Sequence, residues 1–328
     1  MQKIGAMYSS VNLLNRSMRR SLGWALIAAS VTFTGSLSAQ TPERPEITGI
    51  SHIAVFAHNF EKSRAFYGEF LGLEQPYTLK NPDGSLSMTF FKINDRQYIE
   101  LFPEKEADTD RLSHISLETT DAEALRKYLV SKGVKVPPQV HKARIGTFNF
   151  NFTDPAGHTI EIVQYTPDSL PVKAAGKFMS DKAISNKMTH VGLIVTDLQP
   201  EYDFYTKVLG FTETWRGSHD GKVLSWINLK LPNGTDYLEF MLYKDEPEPT
   251  KRGGAHHLCL QVPSVPDAVA KLEANPYYKT YGRTIEIHLG TNHKRQANLY
   301  DPDGTRTELM EPNTIDDKPT PSSSAPPQ

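Results

Sequence analysis

Apolar and polar positions alternate in short runs along most of this chain, and several of these runs carry a histidine or glutamate on the polar face. In Gly49-Ile50-Ser51-His52-Ile53-Ala54-Val55-Phe56 the period of two sets His52 opposite Ile53 and Val55, as in a half-buried strand. Asn59 then offers a helix cap, Phe60, Phe66, Tyr67 and Phe70 supply an apolar face, and Leu71-Gly72 ends the helix. The same phrase returns 138 positions later: Lys187 to Val195 with His190, a capping Asp197, Phe204-Tyr205, and Leu209-Gly210. One unit is written twice.

The copies stay in step. Tyr98-Ile99-Glu100-Leu101-Phe102 corresponds to Tyr237-Leu238-Glu239-Phe240-Met241 at an offset of 139, and Ser113-His114-Ile115 to His256-His257-Leu258 at 143. The last strand of each copy follows a tight Asp-Pro turn, at Asp154 to Glu161 and again at Asp301 to Glu308, offset 147. Proline presets the second turn position and glycine supplies permissive backbone near its end. The drift falls in polar loops, where insertions cost little. Each copy also looks halved: around His114 a strand leads to a helix capped by Asp121 and then to strands ending at Glu161. The predicted grammar is strand–helix–strand–strand–strand, four times. Residues 47–166 and 188–312 form the two expected domains, with 167–187 as linker. The Pro- and Ser-rich residues 313–328 are expected to be a disordered tail.

A carboxylate in the middle of a short apolar strand is costly unless it is solvated, paired or bound to a metal. The first copy offers His52, Glu100, His114 and Glu161, at spacings of 48, 14 and 47. The second offers His190, Glu239, His257 and Glu308, at spacings of 49, 18 and 51. Imidazole nitrogens with carboxylate oxygens suit a divalent first-row transition metal: Fe, Mn, Ni, Co or Zn. Four protein ligands on an octahedral ion leave two neighbouring positions open, which fits a substrate with two adjacent oxygens. A lone strand histidine is usually an ordinary core or surface residue; the recurrence of the whole set is what points to a site. His256 falls on the opposite strand face from His257, so the ligand role goes to His257. His58, His141, His158, His219 and His288 fall outside the pattern.

Composition narrows the setting. Residues 1–39 place Arg16, Arg19 and Arg20 before an apolar run ending in Ser36-Leu37-Ser38-Ala39, the layout of a signal peptide cleaved near Ala39. An exported chain, periplasmic or secreted, is therefore expected, with no stable membrane partner after cleavage. The remainder carries 32 basic against 38 acidic residues, a balance of −6, which argues against a nucleic-acid partner. The single cysteine, Cys259, excludes an intrachain disulfide and a thiolate zinc site, and reads as a small buried hydrophobe.

Taken together, the Asp-Pro-x-Gly-x-x-x-Glu endings, the Phe-Tyr…Leu-Gly helix ends and the recurring His and Glu positions resemble the vicinal oxygen chelate superfamily, which includes glyoxalase I, extradiol dioxygenases and bleomycin-resistance proteins. The resemblance implies an α+β fold of two tandem glyoxalase-like domains, each built from paired βαβββ units with a cupped mixed sheet. It also implies metal positions on the eight His and Glu residues above, and a small-molecule substrate with adjacent oxygens; a homodimer stays open.

Three activities compete. In a glyoxalase-like isomerase or lyase, Glu161 or Glu308 acts as the base that yields an enediolate. Export argues against the specific lactoylglutathione lyase activity, since glutathione is a cytosolic thiol pool. In an extradiol-type dioxygenase, His190, His257 and Glu308 hold Fe(II), with His293 for acid–base work. There the family's catalytic Tyr stands apart from the acidic-Pro turn, whereas here Tyr300 abuts Asp301, and Glu239 is a surplus carboxylate. In a non-catalytic binder, the aromatics Phe90, Phe91, Tyr98, Phe148, Phe150, Trp215 and Trp226 line the cleft. The full acidic set favours the first reading.

Overall fold

The computed structural model describes residues 42–327, so the expected signal peptide over residues 1–39 lies outside the described residues. The first half of the chain runs β1 (Ile47–Ala57), α1 (Phe60–Ala65), β2 (Thr78–Lys80), β3 (Leu86–Lys92), β4 (Tyr98–Pro103), β5 (Leu112–Thr119), α2 (Ala122–Ser131), β6 (His141–Lys142), β7 (Phe148–Thr153) and β8 (Thr159–Gln164). A short α3 (Leu170–Lys173) follows. The second half repeats the order: β9 (Met188–Val195), α4 (Leu198–Asp203), β10 (Thr212–Gly217), β11 (Trp226–Lys230), β12 (Tyr237–Leu242), β13 (His257–Gln261), α5 (Val265–Glu273), α6 (Tyr278–Tyr281), β14 (Ile287–Leu289), β15 (Lys294–Tyr300) and β16 (Arg306–Thr314). The fourfold strand–helix–strand–strand–strand grammar is therefore real, and the fold is α+β with two mixed sheets.

Each half makes one eight-stranded sheet, in the orders β2-β3-β4-β1-β5-β8-β7-β6 and β10-β11-β12-β9-β13-β16-β15-β14. The first strand of each unit pairs in parallel with the last, β1 with β4 and β5 with β8, and the two units meet along the antiparallel β1–β5 pair. Ile53, Val55, Ile99, Leu101, Ile115, Leu117, Ile160 and Ile162 pack on one side of the first sheet as core. Their alternation puts the polar partners of the same strands on the other, concave side.

Of the three helix caps expected from the sequence, two form. Asn59 accepts from the Lys62 amide at 3.1 Å and Asp121 from the Ala124 amide at 2.9 Å. Asp197 occupies the equivalent position of α4 without a side-chain cap bond. The paired aromatics sit on single π-helical turns, Phe66–Phe70 and Phe204–Val208, which end α1 and α4. Gly72 and Gly210 close those turns at φ 71° and 78°, where a side chain would be strained.

The halves are knitted together by buried polar bonds. Gln97 donates to the Met188 carbonyl at 2.8 Å and accepts from the Met188 amide at 2.9 Å. The Tyr67 hydroxyl donates to Asp301 at 3.0 Å, and Tyr205 donates to Asp154 at 3.0 Å, a reciprocal pair that the duplication generates. The segment between the halves is clasped by Lys92, whose buried ammonium donates to the Ala174 and Lys177 carbonyls and to Asp95.

The expected disordered tail at 313–328 differs from what is found. Residues 313 and 314 complete β16, and Ser323 then donates its amide to the Arg216 carbonyl at 2.9 Å. The Leu224 amide donates to the Pro326 carbonyl at 2.8 Å, and Thr320 to the Asn292 carbonyl. Arg216 lies on one edge strand of the second sheet and Asn292 in the turn beyond the other, so the tail crosses from rim to rim. Low hydrophobicity misled the reading: backbone amide and carbonyl groups and one hydroxyl, not apolar side chains, supply these bonds.

A Tyr67→Phe variant leaves the buried Asp301 carboxylate without one donor, and a loss of about 1–2 kcal/mol is expected. Thermal unfolding of the two proteins at neutral pH measures it; an unchanged midpoint would rule the bond out as a stabilising contact.

Candidate metal centres

The four central strands of each sheet bring the eight sequence-predicted residues together. In the first sheet the order β4-β1-β5-β8 presents Glu100, His52, His114 and Glu161 side by side. Register sets their height: Glu100 and His114 both flank Ala54, while His52 and Glu161 both flank Ser116. The second sheet repeats this, with Glu239 and His257 flanking Gly192, and His190 and Glu308 flanking Cys259.

In the first cup the Nε2 atoms of His52 and His114 lie 3.0 Å apart. Glu161 Oε2 is 3.0 Å from His52 Nε2 and 3.8 Å from His114 Nε2; Glu100 stands 3.5 and 3.9 Å from the same atoms. Donor atoms of His52, Glu100 and His114 all lie within 4.8 Å of one another, and Glu161 stands beside that set, its other oxygen accepting from Asn149. In the second cup His190, Glu239, His257 and Glu308 all meet the same limit. There Nε2 to Nε2 is 3.1 Å, and Glu308 Oε2 lies 3.3 and 3.4 Å from the two imidazoles.

The outer ring nitrogens fix how the imidazoles present themselves. His257 Nδ1 lies 2.7 Å from the Ala255 carbonyl, which only accepts, so Nδ1 carries the proton and Nε2 turns its lone pair inward. His52, His114 and His190 set Nδ1 against the hydroxyl of the preceding residue, Ser51, Ser113 and Thr189. Burial pushes His114 down to about 4 and His257 down to about 3, so both are neutral near pH 7.

The two carboxylates of the first cup are driven apart. Burial raises Glu100 to about 7, with the nearby Glu161 charge adding to it. Burial opposes ionisation of Glu161 too, but its hydrogen bond with His52 and the His52 charge bring it down to about 2. Two imidazole nitrogens and two acids within a few ångströms, nearly buried at the floor of a cavity, are the donor set a divalent first-row cation fits. Such a group of acceptors is costly to bury without a cation.

The cups differ in access. All four donors of the first open onto one cavity of about 340 Å³, walled by Tyr77, Phe90, Tyr98, Phe102 and Tyr165, with His141, Lys142 and Arg144 also lining it. The cavity of about 320 Å³ over the second cup reaches Glu239 and Glu308 and is lined by Trp215, Trp226, His219, His288 and Arg306. Of the aromatics expected in a cleft, Phe90, Tyr98, Trp215 and Trp226 are there; Phe91 and Phe150 belong to the core, and Phe148 is partly exposed.

Arg144 lines the first cavity and donates to the Lys80 carbonyl at 2.8 Å, whereas Arg295 pairs with Glu311 at 3.2 Å. The expectation for His293 needs correction. His293 is an exposed turn residue with φ 57°, outside the residues lining the second cavity. Cys259, read as a small buried hydrophobe, is fully buried, level with His190 on the neighbouring strand. Arg306 was missed; it stands two positions before Glu308, and strand alternation puts it on the same face, which is the signal that would have found it.

Two outcomes follow. Protons compete with a divalent ion for Glu100, so first-cup affinity is expected to fall roughly tenfold per pH unit below about 7; Mn(II) titration calorimetry at pH 8 and pH 5.5 reads this, and equal affinities would refute it. A methyl group on Gly192 would stand 2.0 Å from His257 Nδ1. Gly192→Ala is therefore expected to lower metal occupancy in the second cup alone, as metal analysis of variant and parent would show.

Comparison with known proteins agrees with this geometry. The chain is 33% identical over 128 residues to the uncharacterized protein YaeR of Escherichia coli (strain K12), covering 37% of this chain and 93% of that protein. Its fold is similar to the Mn(II)-bound glyoxalase from Novosphingobium aromaticivorans, with TM-score 0.62, 21% identity, and coverage of 87% of this chain and 89% of that one. It is also similar to the 2,3-dioxygenase LapB from Pseudomonas sp. KL28, with TM-score 0.60, 19% identity, and coverage of 84% and 97%. A family model matches residues 49–162 and 187–309, so the chain belongs to the Glyoxalase/Bleomycin resistance protein/Dioxygenase superfamily, with two tandem copies of its domain.

Proposed function

We propose that the protein is an exported, divalent-metal-dependent isomerase or lyase of glyoxalase type, acting on a small oxygenated molecule in the first cup. The observation that carries this reading is the second carboxylate. Two imidazoles and one Glu would leave three positions free on a six-coordinate ion, enough for a catechol and O₂. Here Glu100 lies 3.5 Å from His52 as well, so a fourth protein donor reduces the free positions to two. Two adjacent positions match two adjacent substrate oxygens. The exposed placement of His293 also removes that residue from the acid–base role of the ring-cleaving reading.

In this reading His52, Glu100, His114 and Glu161 would hold the ion, which would supply Lewis-acid polarisation of the substrate oxygens. Glu161 would take the proton from the hydroxyl-bearing carbon beside the carbonyl and return it to the former carbonyl carbon, while the hydroxyl proton passes from one substrate oxygen to the other. Asn149 steadies the far oxygen of Glu161 during that transfer. Tyr77, Phe90, Phe102 and Tyr165 exclude water and seat the apolar body of the substrate. Glu308 has the matching position in the second cup, where His190 and His257 are more deeply buried. Export rests on the residue pattern at 1–39.

The test is hydrogen–deuterium exchange and isomerisation of α-hydroxy carbonyl compounds by the metal-loaded chain, run beside O₂ uptake with a catechol panel. Exchange without O₂ consumption is expected, with Glu161→Gln lowering it by roughly 10²-fold or more and Glu308→Gln leaving it nearly intact. Catechol-dependent O₂ uptake in place of exchange would overturn the proposal.

A further inference from the structure

Where the halves of the chain meet, a third polar constellation lies outside both cups. Asp154 opens the turn before β8 and is buried; its Oδ2 accepts from the Tyr205 hydroxyl and lies 2.9 Å from His158 Nδ1, while Oδ1 accepts from the His158 amide at 2.7 Å. Glu201, on α4 of the second half, is 0% exposed. One of its oxygens accepts from the Ala156 amide at 2.9 Å; the other, Oε1, meets no donor among the described residues. Donor atoms of Asp154, His158 and Glu201 all lie within 4.8 Å of one another.

His256 completes the surroundings. Its ring stands edge-on to that of His158, with centroids 5.3 Å apart at 83°. Its Nδ1 is held by Asp110 at 3.1 Å, and its buried Nε2 has no partner among the described residues. The histidine pairs of the two cups share this ring geometry, 5.2 Å at 80° and 5.2 Å at 85°, and there the Nε2 atoms also converge, at 3.0 and 3.1 Å, which those of His158 and His256 do not.

The duplication supplies an internal comparison. At the twin junction Asp301 and Tyr67 repeat the Asp154–Tyr205 bond, but Thr305 stands where His158 does and Ser63 where Glu201 does. The acid nearby, Asp303, is satisfied there by the Ser63 hydroxyl at 3.1 Å and the His58 amide at 2.9 Å. A Tyr–Asp bond therefore holds such a junction without an imidazole and without an unsatisfied buried acid. At the first junction two acids face each other in the interior, an arrangement that needs a shared positive charge, a cation or a proton.

We propose that Asp154, His158 and Glu201 form a third site for a divalent transition-metal ion such as Zn(II), structural rather than catalytic, with the unpartnered His256 Nε2 as the fourth donor it would draw in. Asp154 and His158 come from the first half, Glu201 and His256 from the second, so the ion staples one half to the other. Two oxygens and two imidazole nitrogens form a mixed set that zinc accepts in closed four-coordinate sites. The alternative occupant of the space between the acids is a single proton.

Zinc content of the full chain decides between them. A chain whose cups are disabled by alanine at His52, His114, His190 and His257 is dialysed against Zn(II) and then buffer. One retained equivalent is expected, lost on adding His158→Thr or Glu201→Ser, the residues that the twin junction already carries. In the parent with intact cups, the same two changes are expected to lower bound zinc by one equivalent and to remove one chelator-sensitive step in thermal unfolding, which keeps the test decisive if the cup variant folds poorly. Zinc content that neither substitution lowers, in either background, overturns the proposal and assigns the bridge to the proton.

Discussion

Two imidazoles and two carboxylates meet on the concave face of each sheet, and the rest of the architecture follows from making that meeting possible. The four side chains are separated by up to 109 positions in the sequence, from His52 to Glu161. They become neighbours because β4, β1, β5 and β8 are adjacent in the sheet. Parallel pairing of first and last strand in each unit needs a crossover, which α1 and α2 supply from the convex side. The aliphatic partners of the same strands then hold the sheet against those helices, so the site and the core are two faces of one set of strands.

Duplication produced two such faces, and their differences show what each retains. The first cup is open to an aromatic chamber that reaches all four donors. The second keeps the donor set, but its histidines are sealed, Arg306 and two tryptophans line its cavity, and the tail crosses its rim. The junction between the halves tells the same story in smaller form. Both junctions keep the Tyr–Asp bond, while the residues around it have diverged from Ser63 and Thr305 in one to Glu201 and His158 in the other.

Much of the fold was legible because the repeat doubles every signal. A period of two around His52 is ambiguous alone; the same period around His190, followed by the same aromatic pair and the same Leu-Gly stop, is not. What escaped the pattern did so for definable reasons. Asp197 has the residue type of a helix cap but lacks the bond, because capping depends on a side-chain torsion that composition does not encode. Phe91 and Phe150 are as aromatic as Phe90, and only their strand phase sends them to the core. The tail has few apolar residues, yet its amides bond to exposed backbone acceptors on a rim formed by distant segments.

The amino-acid sequence by itself determined the unit, its repetition, and the residue types that alternate toward one face, because strand and helix periods are local properties of the backbone. Only the tertiary structure decided how far apart the imidazoles and acids stand, which of the two cups opens to a chamber, and that Asp154, His158, Glu201 and His256 gather where the halves meet. Those are matters of strand order, register and packing between segments far apart in the chain, and the energies that settle them arise from contacts no local window contains.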